Sequence, residues 1–335
     1  VDQAEEEIEL LAPLSGEITP ELIRERVLQA GVVGMGGAAF PTQVKLAPPA
    51  GSRIEYALIN AAECEPYLTV DQRLLLEQTR KVIAGLRLIM KATGAAEGII
   101  AVEANKTDAF NKLTGLLRNE DNIRAEMVKV KYPQGGEKQL IYSLLRRRVP
   151  AGGFPAAVGC VVQNVHTALA IAEAVEEGKP LVERVVTVTG PGLKSPGNFQ
   201  VRLGSPFSCL IEAAGGLPDG PVRVISGGPM MGIAQSTLEV PVIKGTSGIL
   251  ILPELSRPRN QPCLRCGECA LVCPMGLLPS ELARAVEKGR MDLFQSGGGA
   301  NCIECGACVY VCQAGRDLVQ LIQLGKQALK KTKRT

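Results

Sequence analysis

Apolar side chains recur along this chain at two spacings, and the changes of spacing mark out its elements. Over 20–30, charged residues alternate with Leu22, Ile23 and Val27 in a pattern that predicts a helix. A glycine-rich stretch follows over 31–42, then a short apolar run over 56–59 that reads as a strand. Leu75, Val82, Leu86 and Ile89 form a stripe at helical spacing, with Thr69 and Gln72 as a capping box at its start. One amphipathic helix packed on a sheet is therefore expected. Strand-like runs over 98–102, 125–131 and 159–162 then alternate with helical patterns over 107–117, 137–145 and 167–175. Repeated β–α alternation predicts a layered α/β domain with a largely parallel sheet. Ligands of such sheets sit on the loops at the carboxyl ends of strands, where Asn60-Ala-Ala-Glu63-Cys-Glu65-Pro66 falls.

The texture changes at Gly178-Lys-Pro180. Strand patterns over 185–189, 199–203 and 222–225, with a helical one over 206–214, predict a small β-grasp-like module. A linker over 257–262 then opens a cysteine-rich segment, and the chain ends in an amphipathic helix carrying Leu318, Leu321, Ile322 and Leu324. The predicted fold class is α/β in three parts: a layered domain over 1–180, the β-grasp module over 181–250 and a helical cysteine-rich module over 251–335.

Composition narrows the function classes. The chain has 335 residues, enough for several cores, with 46% hydrophobic residues and a net charge of +3. Only 3% are aromatic and none is Trp, so base-stacking surfaces for nucleic acid are not expected. The basic tail Lys330, Lys331, Lys333, Arg334 reads as a solvated terminus, with contact to anionic lipid as the minor reading. No apolar stretch approaches the roughly 20 residues of a membrane span; the most apolar, 248–253, is strand-sized. The chain opens on acidic residues with neither a signal peptide nor an initiator Met, so it reads as a fragment or a trimmed chain.

Eight of the eleven cysteines stand in two runs of identical spacing. The first is Cys263-Leu-Arg-Cys266-Gly-Glu-Cys269-Ala-Leu-Val-Cys273-Pro274, the second Cys302-Ile-Glu-Cys305-Gly-Ala-Cys308-Val-Tyr-Val-Cys312. Such regularity suits metal thiolates in a reducing, cytoplasmic compartment rather than disulfides. Zinc favours two separated pairs. Three cysteines at x2 spacing wrap three corners of a [4Fe–4S] cubane, while the fourth reaches the other cluster. Cys263, Cys266, Cys269 and Cys312 are thus expected to hold one cluster, and Cys302, Cys305, Cys308 and Cys273 the second. Gln313 stands where a Pro usually follows the last cysteine, which predicts a changed local turn.

The stretch Gly34-Met-Gly36-Gly37-Ala-Ala-Phe40-Pro-Thr-Gln-Val-Lys45 is a poor dinucleotide fingerprint, with Ala39 at the third glycine. Its amides and Lys45 would suit a phosphate or a flat cofactor, or it is simply a turn. Glu63 and Glu65 could accept ribityl or ribose hydroxyls, or lie in a solvated turn. His166, the only histidine, reads as hydrogen-bonded or surface-exposed. Cys160, Cys209 and Cys64 read as packing residues, and Met230 and Met231 as packed under the Gly227-Gly-Pro-Met-Met-Gly232 turn.

Several of these motifs resemble known families. Gly34-x-Gly-Gly-x-x-Phe-Pro-Thr-x-x-Lys45, Asn60-Ala-Ala-Glu-Cys-Glu-Pro66, Tyr132-Pro-Gln-Gly-Gly-Glu137 and Asn164-Val-His-Thr167 resemble the NADH-binding flavoprotein subunit of respiratory complex I. Ala62-Glu-Cys-Glu-Pro-Tyr-Leu-Thr69, 131–140, 227–232 and 301–308 look like the C subunit of the Rnf electron-transport complex, in order and over nearly the whole chain from Pro20 onward. The resemblance implies a noncovalent FMN, NAD(H) as substrate, a soluble-ligand-binding β-grasp domain and two [4Fe–4S] clusters. By it Gly34, Gly36, Gly37 and Lys45 cradle FMN, helped by Asn60, Glu63, Glu65, Tyr132, Gly135, Glu137, Asn164 and Thr167, with Phe40 at the nicotinamide dinucleotide. Ala39, Ala62 and Gly136 depart from the complex I pattern, where Gly, Asp and Glu stand.

The reading that follows is an NADH-linked oxidoreductase subunit, peripheral on the cytoplasmic face of the membrane. Its partners would be an iron–sulfur subunit, integral membrane subunits and ferredoxin. Two other readings share parts of the pattern: a flavin/iron–sulfur cobalamin reductase of microcompartments, and a flavin-free electron-relay adaptor. The implied N-terminal barrel-like domain of the family is not in this sequence.

Overall fold

The computed structural model describes residues 8–254 and 260–332. The acidic opening, 257–259 of the linker, and Lys333 and Arg334 lie outside the described residues. The chain divides into two compact units, Val1–Pro253 and Glu254–Thr335.

In the first unit α1 (Pro20–Gln29) begins where the Thr19 hydroxyl accepts from Leu22 N at 3.3 Å and Pro20 fills a position that needs no N–H partner. Then come α2 (Thr42–Lys45), β1 (Tyr56–Ala61), α3 (Val70–Glu77), α4 (Thr79–Thr93) and β2 (Glu97–Glu103). They are followed by α5 (Thr107–Leu116), β3 (Ile123–Val128), α6 (Glu137–Leu145), β4 (Cys160–Asn164) and α7 (Val165–Ala172). The four strands form one parallel sheet in the order β3-β2-β1-β4. Their runs are almost continuously apolar because both faces are covered. Ile59, Ile100 and Val102 pack towards the core that includes Val27, Leu86 and Ile171. Leu58, Ile99 and Ala101 pack with Leu140 and Ile141 of α6.

Two local expectations fail here. The stripe Leu75, Val82, Leu86, Ile89 is buried, but it runs through two helices, broken at Gln78 (φ −118°, ψ 27°). The Thr79 hydroxyl bonds back to the Leu75 carbonyl and takes an acceptor from the helical ladder. The capping box also does not form. The Thr69 hydroxyl is drawn to Asn198 at 3.3 Å, and the Gln72 side chain donates to Asp108. The Glu63 carboxylate caps α3 instead, accepting from Asp71 N at 3.0 Å and Gln72 N at 3.3 Å.

A second sheet contains β5 (Glu183–Thr189), β6 (Gly197–Arg202), β7 (Val222–Ser226), β8 (Ile233–Gln235) and β9 (Gly248–Pro253), with α8 (Phe207–Ala213) packed on it. Its order is β6-β5-β9-β7-β8. The most apolar run of the chain, β9, lies at its centre, parallel to β5 and antiparallel to β7. It carries this sheet to Pro253, past the expected boundary at 250.

The second unit is helical: α9 (Glu268–Leu271), α10 (Pro279–Glu287), α11 (Met291–Ser296), α12 (Ala307–Tyr310) and α13 (Leu318–Thr332). Leu282, Phe294 and Ile322 form one core patch, and Cys269, Cys308, Ala283 and Leu318 another.

Helices α4 and α7 pack at short range, and a Cβ on Gly85 would lie 1.9 Å from the Ala168 carbonyl oxygen. Gly85→Ala is expected to push these helices apart at a cost of about 1–3 kcal/mol. A lowered thermal midpoint checks this; an unchanged one contradicts the contact.

Candidate functional site

The chain adds β2 and β3 on one side of β1 and then returns to lay β4 on the other. A reversal of this kind leaves a crevice outside the carboxyl ends of the two strands that flank it. Those ends carry Asn60 and Asn164, which face each other in register. Asn60 Nδ2 donates to Gly135 O at 2.8 Å, and its Oδ1 accepts from Ala62 N at 3.2 Å. Asn164 Oδ1 caps α7 through His166 N at 2.9 Å, while its Nδ2 donates to Asp71 Oδ2 at 2.7 Å. Each amide thus ties a loop to the end of its strand.

The glycine-rich loop lies over this point. Gly34 N donates to Phe40 O at 2.7 Å, which closes the loop on itself, and Met35 N donates to the Thr167 hydroxyl at 2.9 Å. A Cβ on Gly36 would meet Asn164 Cβ at 3.4 Å. Gly37 (φ +109°) and Ala39 (φ +49°) hold left-handed conformations that turn the loop. Gly36, Gly37 and Ala38 are exposed residues whose amides donate to no group among the described residues. Three free amides over a switch point suit an anionic, flat cofactor. Lys45 closes the flank, with Nζ 2.7 Å from Glu137 Oε1 and 3.0 Å from Val162 O. Phe40 stands on the outer edge, 42% exposed.

The two glutamates of the Asn60–Pro66 loop face backbone amides. Glu63 caps α3 as described. Glu65 Oε1 accepts from Met230 N at 2.7 Å and Met231 N at 3.0 Å, reaching across to the β7–β8 turn, and the Tyr132 phenol also bonds it. This contact explains Gly228, where a Cβ would lie 2.1 Å from Glu65 Cγ. Met231 is exposed rather than packed under that turn. Burial raises both glutamates above the ordinary carboxylate range, against the pull of the amides. Gly135 N donates to Cys64 Sγ at 3.3 Å, and burial pushes that thiol up to about 11. A Cβ on Gly135 would lie 2.3 Å from Ala62 O, so this loop requires glycine. The Ala62 methyl is in the core with Leu58 and Leu140.

Among the positions expected at a flavin site, these contacts tie Gly34, Lys45, Asn60, Glu63, Glu65, Tyr132, Gly135, Glu137, Asn164 and Thr167 into the loops around the strand ends. Two charged groups beside them, Asp71 and Arg184, were missed. Asp71, held by Asn164, is raised well above its ordinary value by burial first and then by the Glu63 charge. In the sequence it is an ordinary acidic residue in a first helical turn, with nothing to show where it points. Arg184 of β5 is 2% exposed and reaches the carbonyls of Lys244 and Met35 beneath the loop. Burial lowers it to about 10, against the attraction of Asp71. His166 is buried rather than at the surface, and its Nδ1 has no partner among the described residues. Burial, then Arg184 and Lys179, hold it well below the usual histidine value, so it is neutral.

The cysteine runs in the second unit repeat each other in backbone detail. Arg265 and Glu304 take φ of 56° and 58°, and Gly267 and Gly306 take 82° and 79°. Arg265 N and Glu304 N each donate at 3.4 Å to the first sulfur of their run, Cys263 and Cys302. Leu277 N donates to Cys273 Sγ at 3.4 Å, and Arg316 N to Cys312 Sγ at 3.5 Å. The turn after Gln313 matches the one after Pro274, with Gly315 N to Cys312 O at 3.0 Å and Gly276 N to Cys273 O at 3.1 Å. The changed turn expected there does not occur, because that bond does not involve the substituted residue.

A largely enclosed cavity is lined by Cys273, Cys302, Cys305 and Cys308, together with Pro274, Ile303 and Ile322. Gln261 N donates to Ala314 O at 2.9 Å, so the chain entering the first run lies beside the chain leaving the second. Among the described residues no three Cys, His, Asp or Glu side chains converge as a single-ion site. Burial and the neighbouring sulfurs of Cys302, Cys305, Cys273 and Cys269 push the Cys308 thiol up to about 12. An enclosed cavity walled by four of the cysteines suits a metal group whose iron draws thiolates in.

Comparisons with known proteins agree with this geometry. Residues 27–173 match the Nuo51 FMN-binding domain, 185–234 the SLBB domain and 262–324 the 4Fe-4S dicluster domain. The C subunit of the Na+-translocating ferredoxin:NAD+ oxidoreductase complex of Acetobacterium woodii is 45% identical over 315 residues, covering 93% of this chain and 71% of that protein. The chain belongs to this C-subunit family. The C subunit of the proton-translocating complex of Clostridium ljungdahlii is 46% identical over 271 residues, covering 80% of the chain and 58% of that protein. The chain thus spans only part of the length of either relative. Structures of an NAD+-reducing [NiFe]-hydrogenase, H2-reduced and air-oxidized, share the fold at 20% identity with TM-scores of 0.61 and 0.60. They cover 92% and 93% of the chain and 62% and 66% of their own.

The raised Asp71 pKa gives a signed prediction. A carboxyl whose folded value exceeds its unfolded one holds its proton more tightly in the folded state, so stability falls as pH rises through that interval. Asp71→Asn keeps an acceptor for Asn164 and removes the titration. The variant is expected to unfold at a higher temperature than the parent at neutral pH, with the difference closing as pH falls. Parallel midpoint curves for the two proteins would refute the assignment.

Proposed function

We propose that this chain is the NADH-linked redox subunit of an ion-translocating ferredoxin:NAD+ oxidoreductase of the Rnf type. The observation that carries it is the joint presence, in one chain of this family, of a switch-point site with unpartnered loop amides and of two cysteine runs of identical spacing. Bound FMN would supply the exchange between two-electron hydride chemistry and one-electron transfer.

The loop of Gly34, Gly36 and Gly37, with Lys45 at its flank, binds the cofactor. Asn60 and Asn164 hold the loop ends against the sheet, Thr167 fixes the loop from below, and Gly135 admits the 132–136 turn at close range. Glu63, Glu65, Tyr132 and Glu137 keep the surrounding backbone in place and set its charge. Phe40 offers its ring to the nicotinamide dinucleotide. Hydride transfer between two cofactors needs no protein base, which fits the neutral, buried His166.

Cys263, Cys266, Cys269 and Cys312 hold one [4Fe–4S] cluster, and Cys302, Cys305, Cys308 and Cys273 the other. The partners are an iron–sulfur subunit, integral membrane subunits and, through them, ferredoxin. Among the described residues no helix is long and apolar enough to cross a membrane, and a peripheral place on the cytoplasmic face follows from the role proposed for the chain.

Anaerobic reconstitution with FMN, iron and sulfide tests the reading: NADH is expected to bleach the flavin band. Gly36→Val, which drives a branched side chain into Asn164, is expected to lose FMN while retaining iron. A reconstituted protein that takes up no FMN would remove the proposal. The crossed wiring has its own test in electron paramagnetic resonance. Cys273→Ala is expected to abolish the same cluster signal as Cys302→Ala, and a different one from Cys263→Ala. If Cys273→Ala and Cys263→Ala abolish one signal, each run holds its own cluster.

A further inference from the structure

The two cysteine cages are related position by position, yet they differ in how they are closed. Counterpart positions run from Cys263 and Cys302 through Cys273 and Cys312 into α10 and α13, so that Arg265 matches Glu304 and Glu287 matches Lys326. In the second half, Lys326 Nζ donates to Cys302 O at 3.0 Å and pairs with the Glu304 carboxylate. Gln323 Nε2 adds a bond to Glu304 Oε2 at 2.8 Å. Helix α13 is thereby fastened over the Cys302–Cys305 loop. In the first half the counterpart Glu287 turns to Arg316 instead, and Arg284, the counterpart of Gln323, pairs with Glu281 on its own helix.

Exposure follows the fastening. Cys263, Leu264, Arg265 and Cys266 are all exposed, Leu264 at 65%, whereas Cys302, Ile303 and Glu304 are half-buried and Cys305 is buried. Identical local backbones and identical amide-to-sulfur bonds therefore sit under different cover and beside different charge. Cluster potentials respond to both, through solvent exposure and nearby charge. Lys326 keeps only 24% of its side chain in solvent, so its charge is poorly screened from the cage it touches.

We propose that the Lys326–Glu304 clamp makes the two clusters inequivalent: it seals the cage of Cys302, Cys305, Cys308 and Cys273 and tunes its potential, leaving the cage of Cys263, Cys266, Cys269 and Cys312 open to water. The inference rests on the double-cluster reading above and assigns Lys326 and Glu304 a positioning and tuning role. A cation beside a cluster favours the added electron, and an anion opposes it.

Redox titration followed by electron paramagnetic resonance, with the signals assigned through Cys263→Ala, separates tuning from folding. Lys326→Met is expected to lower the midpoint potential of the second cluster and Glu304→Gln to raise it, while the first cluster stays put in both. Loosening of the fold alone would move the two variants in the same direction, and that result overturns the proposal. A second readout uses bathophenanthroline disulfonate on the oxidised parent protein. Iron of the Cys263 cage is expected to leave first, and Lys326→Met to speed the loss from the Cys302 cage alone. Simultaneous loss of both clusters in the parent overturns the inference while leaving the cluster reading intact; absence of iron after reconstitution overturns both.

Discussion

Two neighbouring parallel strands entered from opposite sides must leave a gap beyond their carboxyl ends, and the first unit is organised around that gap. Asn60 and Asn164 stand at its two lips because β1 and β4 pair in register. Each spends its amide oxygen on the backbone N–H two residues ahead and its amide nitrogen on a remote segment, Gly135 for Asn60 and Asp71 for Asn164. The glycine-rich loop lies over the gap, with Gly36 near enough to Asn164 that an added Cβ would touch its Cβ at 3.4 Å. A cofactor site results from sheet topology first and from the chemistry of single residues second.

The carboxylates around that site illustrate how the same groups serve structure and charge. Glu63 and Glu65 look in sequence like hydroxyl acceptors or solvated turn residues and Asp71 like an ordinary acid of a first helical turn, yet each meets a donor of the protein itself. Holding a helix start, a distant turn and a strand-end amide brings partly buried acids close together, with Arg184 beneath the loop. Their raised pKa values follow first from burial, and for Asp71 the Glu63 charge adds to it. Glu65 also links the layered domain to the β-grasp sheet, since its acceptors are filled by amides of the β7–β8 turn.

Much of this was legible from residue spacing. The β–α alternation, the carboxyl-end placement of Asn60–Pro66 and the paired cysteine runs depend on periodicity and local spacing, which sequence displays directly. What stayed hidden depends on which side chain wins a shared donor or acceptor. Thr69 and Gln72 satisfy the capping-box pattern, but Asn198 and Asp108, remote in sequence, take them, and Glu63 takes the helix start. Gln78 interrupts a stripe whose apolar spacing continues unbroken across two helices. β8 escaped notice because three residues carry no period. At the site, the glycines, Lys45 and the paired asparagines were visible through their motifs, whereas Asp71, Arg184 and the burial of His166 were not, because burial and long-range charge leave no local mark.

The second unit poses the complementary problem, in which the local pattern is fully visible and the difference between its halves is not. Both cysteine runs dictate the same left-handed turns and the same amide-to-sulfur bonds, so near-twofold symmetry follows from spacing. Two equivalent clusters would offer an electron no preferred position. Reversing the charge at two pairs of counterpart positions, Arg265 against Glu304 and Glu287 against Lys326, breaks that equivalence without disturbing a single ligand. A duplicated cage can thus become a directed one-electron path through residues that never touch iron. The cysteines would fix where the clusters sit, and the helices that cover them would decide how the clusters differ.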